Sequence, residues 1–168
     1  METVELTFQY TQGEYVKAKR QHIIASKTIT KTNVVVLAVY LSFSLWYFFS
    51  SFSVLSGFSL GFALFALIAG CTLYFYVPIQ QFKRTSKYHE EYNLTYTKDG
   101  ILFKTPTIHS ELKWDIYSEF WESTDFYFLI QVSHIYTLIP KRAFLNLADQ
   151  QAFEKMALSN LKCTKRIL

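Results

Sequence analysis

The stretch of sequence that decides the fold is residues 32–82, TNVVVLAVYLSFSLWYFFSSFSVLSGFSLGFALFALIAGCTLYFYVPIQQF. These 51 residues contain no Asp, Glu, Lys, Arg or His. A helix needs about 20 mostly apolar residues to cross roughly 30 Å of hydrocarbon, so the stretch has the length of two crossings joined by a short turn. Small polar residues crowd its middle and predict that turn, namely Ser50, Ser51, Ser53, Ser56 and Gly57. We therefore predict a transmembrane hairpin with spans near residues 33–52 and 58–77.

The hairpin divides the chain into three predicted parts. Residues 1–31 hold a strand and an amphipathic helix, and Thr11 with Glu14 forms the capping box that begins this helix. Residues 32–82 are the hairpin. Residues 83–168 follow it and are long enough for a compact cytoplasmic domain.

The net charge of +4 is distributed unevenly along the chain. Residues 1–87 carry 8 Lys and Arg against 3 Asp and Glu, whereas residues 88–168 carry 9 against 10. The positive excess therefore flanks the hairpin. Because the cytoplasmic flanks of membrane helices are rich in Lys and Arg, we predict a multi-pass protein with both termini in the cytoplasm. A nearly neutral second part argues against a nucleic-acid partner.

After the hairpin the sequence predicts short strands and one helix. Alternating polar and apolar residues predict strands at residues 91–96, 101–104, 110–113, 117–123, 126–132 and 135–139. Lys98-Asp99-Gly100 predicts a hairpin turn with glycine at a positive φ. Asn146 and Asp149 predict the start of a helix over residues 147–162.

The first strand predicts how the soluble part is assembled. Residues 4–10, VELTFQY, alternate with period two, and an isolated strand of this length must pair with strands elsewhere. With the six later strands it makes seven. We predict an α+β domain, an antiparallel pleckstrin-homology-like half-barrel of about seven short strands with a C-terminal helix, which the hairpin interrupts after its first strand.

Several motifs resemble those of a known family. They are Thr11-Gln-Gly-Glu-Tyr15, Leu112-Lys-Trp-Asp-Ile116, Asp125-Phe-Tyr-Phe128 and Ile139-Pro-Lys-Arg-Ala-Phe144. In this order, around a two-span hairpin, they resemble the YcxB-like family of small bacterial membrane proteins. The resemblance implies a pleckstrin-homology-like domain tethered to the cell membrane, and it implies no established activity.

The sequence does not favour an enzyme. Gly57-Phe-Ser-Leu-Gly61 has the form of a hydrolase nucleophile elbow, but it lies in a predicted span without the strand, histidine and acid that such a site needs. The four histidines lack the spacing of metal ligands. We predict neither a catalytic site nor a cofactor.

Two further groups of residues are predicted to have structural roles. Small residues on the second span permit close helix packing, and they are Gly57, Gly61, Ala66 and Gly70. This packing joins either the two spans or two copies of the chain, and we favour the two spans because they are tethered. The oligomeric state stays open. Trp114, Pro140 and Phe144 are predicted to anchor the β core.

One basic group is the predicted binding surface. Lys141 and Arg142 lie at a strand-to-helix corner, and the later positive charges are Lys162, Lys165 and Arg166. They are candidates to contact an anionic lipid headgroup or a protein partner, and simple solvation is the alternative. The spans contain no ionisable residue, so they suit an anchor better than a transport pathway.

The predicted function is therefore non-enzymatic. A cytoplasmic domain would bind a protein or a lipid headgroup at the bilayer surface. The alternative is an accessory regulatory or immunity-like subunit that acts on another membrane protein through its hairpin.

Overall fold

The computed structural model describes residues 3–131, 135–161 and 163–167, with the backbone alone at residues 163 and 164. The chain forms two compact units. Residues 1–14 and 85–168 form one, which we call the β unit, and residues 15–84 form the other, the helical unit. Helix α1 (Gln12–Ala25) begins in the β unit and continues in the helical unit. Thr11 and Glu14 cap it reciprocally, as the sequence predicts.

The helical unit contains the two helices of the predicted hairpin. They are α2 (Lys31–Ser51) and a longer helix made of α3 (Val54–Cys71), a π-helical segment (Thr72–Tyr76) and α4 (Val77–Arg84). Each is long and apolar enough to cross a membrane.

The turn between the two helices is shorter than predicted. Phe52 adopts a left-handed conformation with φ of 38°, and Ser53 caps α3. Ser56 and Gly57, predicted to lie in the turn, are in the first turn of α3 because Ser53 and Ser56 satisfy each other's backbone N–H groups.

The β unit contains two four-stranded sheets. The first is antiparallel with order β1-β2-β3-β4, and the second has order β7-β6-β5-β8, in which β8 is parallel to β5. The strands are β1 (Val4–Gln9), β2 (Glu91–Tyr96), β3 (Ile101–Lys104), β4 (His109–Leu112), β5 (Tyr117–Glu122), β6 (Phe126–Gln131), β7 (Tyr136–Pro140) and β8 (Cys163–Arg166). Strand β1 pairs with β2 along its whole length, from Val4 opposite Tyr96 to Gln9 opposite Glu91. The predicted pairing of the first strand is confirmed.

Two details of the β unit differ from the prediction. Eight strands are described instead of about seven, because the chain becomes extended at Leu161, after α5 (Leu147–Asn160), and continues as β8. Gly100 does not have a positive φ. Its small size is needed instead because a Cβ there would lie 2.7 Å from the carbonyl oxygen of Leu112.

The core of the β unit is built around Phe153 of α5, whose side chain is fully buried. Its ring lies 4.7 Å from that of Tyr96 in the first sheet. It lies 6.1 Å from Phe120 and 5.3 Å from Tyr127 in the second sheet. Phe153 therefore joins α5 to both sheets. At the end of β1, the Tyr10 hydroxyl donates to the Leu138 carbonyl of β7.

Candidate functional site

The predicted basic corner follows the end of β7. Pro140 is buried there, and a 3₁₀ turn, Lys141–Ala143, leads towards α5. The backbone N–H of Lys141 donates to the carbonyl of Asp125 at 2.8 Å. With the turn fixed in this way, the side chains of Lys141 and Arg142 each contact a carboxylate of the β unit.

Arg142 pairs with Glu14 at the start of α1. Its Nε and Nη2 atoms donate to the two Glu14 carboxylate oxygens, and Nη2 also donates to the Gln9 carbonyl at 2.9 Å. These charge-assisted bonds hold the pKa of Glu14 at about 2. Glu14 therefore caps α1 and also joins the beginning of this helix to the corner.

Lys141 and Arg166 converge on a second carboxylate. Lys141 Nζ lies 2.8 Å from Oε1 of Glu122, and Arg166 Nε lies 3.1 Å from Oε2. The hydrogen bond from Lys141, followed by that from Arg166, lowers the pKa of Glu122. Lys141 Nζ also lies 4.6 Å from the centre of the Tyr127 ring. One acidic side chain thus links β5, the corner and β8.

The predicted basic surface also includes Lys165 and Lys162. Lys165 Nζ lies 4.7 Å from the centre of the Trp121 ring, because the parallel pairing sets Lys165 opposite Trp121. Lys162 lies outside the described residues. The structure therefore brings Lys141 and Arg166 together and places Arg142 and Lys165 against other partners.

Sequence reasoning missed the acidic partners of this surface. Glu14 is 128 positions from Arg142 in the chain, and no local pattern connects them. Glu122 lies close in sequence to Glu119 and Asp125, and an acidic run on a strand is usually a solvated edge. Only a prediction of β8, and of its parallel pairing with β5, would have set Glu122 opposite Arg166.

The three predicted anchor residues lie in or beside the core. Trp114 is buried, and its Nε1 donates to the Thr97 carbonyl at 2.9 Å. Phe144 is partly buried and lies 5.4 Å from the ring of Phe153. The contact between Phe144 and Phe153 packs the segment after the corner against α5.

The glycines of the second span do not pack against α2, although we favoured packing between the two spans. A Cβ atom added at Gly57, Gly61 or Gly70 would meet no other atom within 4 Å. The helices meet instead through hydroxyl groups, with Ser44 Oγ 2.9 Å from Ser59 Oγ and the Tyr40 hydroxyl 3.2 Å from it. Gly57 and Gly61 line an open apolar groove together with Val54, Phe58, Phe62 and Phe65.

The described part of the chain contains no group of three His, Cys, Asp or Glu placed to hold a metal ion. A further polar network joins β6 to α5, where the Tyr127 hydroxyl donates to Glu154 and accepts from Gln150 at 2.7 Å. Burial and the Glu154 carboxylate raise the pKa of Tyr127. This network holds α5 against β6.

Comparison with known proteins gives one match. Residues 96–157 match the family described as YcxB-like protein. No curated protein and no solved structure matches the chain. The matched residues run from the end of β2 through the corner and most of α5. The resemblance predicted from the sequence is therefore confirmed by a match of residues 96–157 to the YcxB-like family.

Proposed function

We propose that the protein is a non-enzymatic integral membrane protein of the bacterial cell membrane, whose β unit binds a protein partner at the cytoplasmic surface. The observation that carries this proposal is the pairing of β1 with β2. These strands precede and follow the two candidate spans, so their pairing supports a hairpin whose two flanks emerge on one side of the bilayer. The β unit is then tethered at two points, and the basic flanks favour the cytoplasmic side.

A pleckstrin-homology-like half-barrel is the architecture that we propose for the β unit. The antiparallel sheet β1-β2-β3-β4 and the antiparallel strands β5 to β7 support it, together with α5, which contacts both sheets through Phe153. Strand β8 is additional to the seven strands and C-terminal helix of the predicted half-barrel.

A protein suits the β unit better than an anionic bilayer does. The unit carries 10 Lys and Arg against 13 Asp and Glu, so an anionic surface repels it on balance. Lys141, Arg142 and Arg166 are already paired with carboxylates. Beside the corner, Leu145 and Leu147 are 88% and 66% exposed. Two exposed leucines next to a rigid ion-paired corner favour an apolar contact with a protein.

A crosslinked pull-down from native membranes tests this surface. We expect the double variant Leu145→Ser/Leu147→Ser to lower partner recovery by about a hundredfold, since each leucine buried in an interface contributes about 1.5 kcal/mol or more. Leu158→Ser is the matched control, because Leu158 is on the same helix and is 54% exposed. Equal recovery from the double variant and the control would exclude the corner as the binding surface.

Impermeant thiol labelling of intact cells tests the topology. Cys71 and Cys163 are replaced, and single cysteines are introduced at Ser51 or Lys98, both exposed. Ser51 is chosen at the hairpin apex because Ser53 caps α3. We expect the apex cysteine to be labelled in intact cells and the Lys98→Cys variant only after lysis. The opposite pattern would reverse the proposed orientation.

The second candidate function is the accessory subunit that acts through its hairpin. The open groove on α3 favours it, since Gly57 and Gly61 leave room for a neighbouring helix. In the same pull-down, this function predicts that recovery is lost with Gly61→Leu and persists with the double leucine variant.

A further inference from the structure

The helical unit has an unusual balance of charge. Its residues, 15–84, include seven Lys and Arg and no Asp or Glu. Five of the seven make no ion pair with any residue that the structure describes, and these are Arg20, Lys27, Lys31, Lys83 and Arg84. Positive charge concentrated in this way attracts anions from outside the unit.

The packing of the two long helices shows where these charges lie along the hairpin. Tyr40 and Ser44 of α2 contact Ser59 of α3. Extending this antiparallel register places Lys31 about level with residues 68–72 of the second helix. That helix continues to Arg84, roughly 18 Å further at 1.5 Å per residue. The second helix therefore has a basal extension, Thr72–Arg84, beyond the start of α2.

Helix α1 packs along the basal extension. The Tyr15 hydroxyl lies 3.3 Å from Oε1 of Gln81, and its ring lies 5.6 Å from that of Phe82. Five positions later, Arg20 contacts Tyr74 and Phe75. The two segments are thus antiparallel, and Arg20 is near the end of the extension that adjoins the spans.

Arg20 is held in place by a defect in the second helix. Pro78 has no N–H, so the Tyr74 carbonyl, four residues earlier, cannot form its α-helical hydrogen bond. Arg20 Nε donates to this carbonyl at 3.3 Å, and its guanidinium carbon lies 5.2 Å from the ring centres of both Tyr74 and Phe75. The Nη groups of Arg20 have no acceptor within the described ranges. They form a fixed pair of donors beside aromatic residues typical of a membrane interface.

Lys31 is at a position that helix electrostatics disfavour. It is the first residue of α2, whose first turn contains no acidic residue. A positive charge at a helix N-terminus is repelled by the helix dipole. An external anion at this level removes that penalty.

We propose that Arg20, Lys27 and Lys31 form a basic collar that binds the headgroups of anionic phospholipids. The inference rests on the proposed membrane hairpin. The Arg20 fork matches the geometry of a phosphate group. Lys31 begins α2, Lys27 lies in the short segment that joins α1 to α2, and both add attraction for an anionic headgroup. Lys83 and Arg84 are about 15 Å further along the helix, beyond one Debye length of about 8 Å, and contribute little.

Native mass spectrometry of the full chain in neutral detergent tests the collar. The probe is phosphatidylglycerol, compared with phosphatidylcholine of the same acyl chains. We expect the native protein to retain phosphatidylglycerol preferentially. In Lys27→Gln/Lys31→Gln, we expect the retention of phosphatidylglycerol to fall about fivefold for each charge removed. The matched control, Lys83→Gln/Arg84→Gln, removes the same charge and is expected to retain the lipid. Arg20→Lys keeps the charge but loses the fork, and is expected to weaken retention several-fold.

Two results would overturn the proposal. One is equal retention of both lipids by the native protein, and the other is an equal loss in the collar variant and the control. Carbonate extraction of membranes is run in parallel. A protein that resists extraction but shows no lipid preference contradicts the collar alone, whereas a protein released by carbonate contradicts the membrane hairpin itself. Circular dichroism checks that each variant keeps its helices.

Discussion

Removing strand β1 is expected to abolish folding of the β unit. Val4, Leu6, Phe8 and Tyr10 are all buried, and their burial contributes about 6 to 10 kcal/mol before entropy. The total stability of a domain is about 5–15 kcal/mol. Loss of the strand also exposes the backbone edge of β2, a template for aggregation. Residues 85–168 alone are therefore expected to be aggregated or unfolded.

A fusion supplies the control for this prediction. Residues 1–14, joined to residues 85–168 by a flexible linker in place of the helical unit, restore every strand of both sheets. We expect this protein to be monomeric by light scattering and to unfold cooperatively in urea. Within it, Leu6→Asn is expected to reproduce the collapse, whereas Glu5→Asn, on the exposed face of β1, is tolerated. A monomeric, cooperative fragment of residues 85–168 would show that β1 is dispensable.

The elements that could be predicted from the sequence are those determined by local patterns. The uncharged stretch specifies two apolar helices because its length is a direct match to bilayer thickness. The alternation VELTFQY specifies a strand because one face must be buried. Since an isolated strand of this length is not stable, it must pair with a strand elsewhere. Thr11 and Glu14 are a cap because they are three residues apart.

What could not be predicted depends on contacts between distant residues. The pairing of Arg142 with Glu14 joins segments 128 positions apart, and it turns a predicted free basic surface into an ion-paired corner. Strand β8 lacks apolar alternation and exists through its pairing with β5. The glycine pattern on α3 is compatible with packing against α2 or against a second copy of the chain. The contact between Ser44 and Ser59 shows which face of α3 meets α2.

The positive charges of the helical unit also could not be placed fully from the sequence. Positive charges flanking a hairpin predict orientation, but a sequence does not reveal that Arg20 is attached to the Tyr74 carbonyl freed by Pro78. That contact depends on α1 folding back along the basal extension. It converts a flexible charged side chain into a fixed group, which is why the collar and not the corner is the surface that we assign to lipid.

Phe153→Ala is expected to be the most destabilising single substitution in α5. The fully buried ring contacts aromatic rings from both sheets and from Phe144, and no polar group is lost with it. Truncation of a buried phenylalanine costs about 3–5 kcal/mol through lost burial and the cavity left behind. Urea unfolding followed by tryptophan fluorescence measures the change, because Trp114 and Trp121 are buried in the β unit.

The matched control is Leu158→Ala on the same helix. Leu158 is largely exposed, so its truncation is expected to change the free energy of unfolding by less than about 0.5 kcal/mol. Similar small effects from both variants would mean that α5 is not packed on the sheets through Phe153.

We expect Phe153→Ala to leave the collar's preference for anionic lipid unchanged, because Arg20, Lys27 and Lys31 belong to the other unit. Stability of the β unit and lipid binding by the helical unit are then separable properties of one chain.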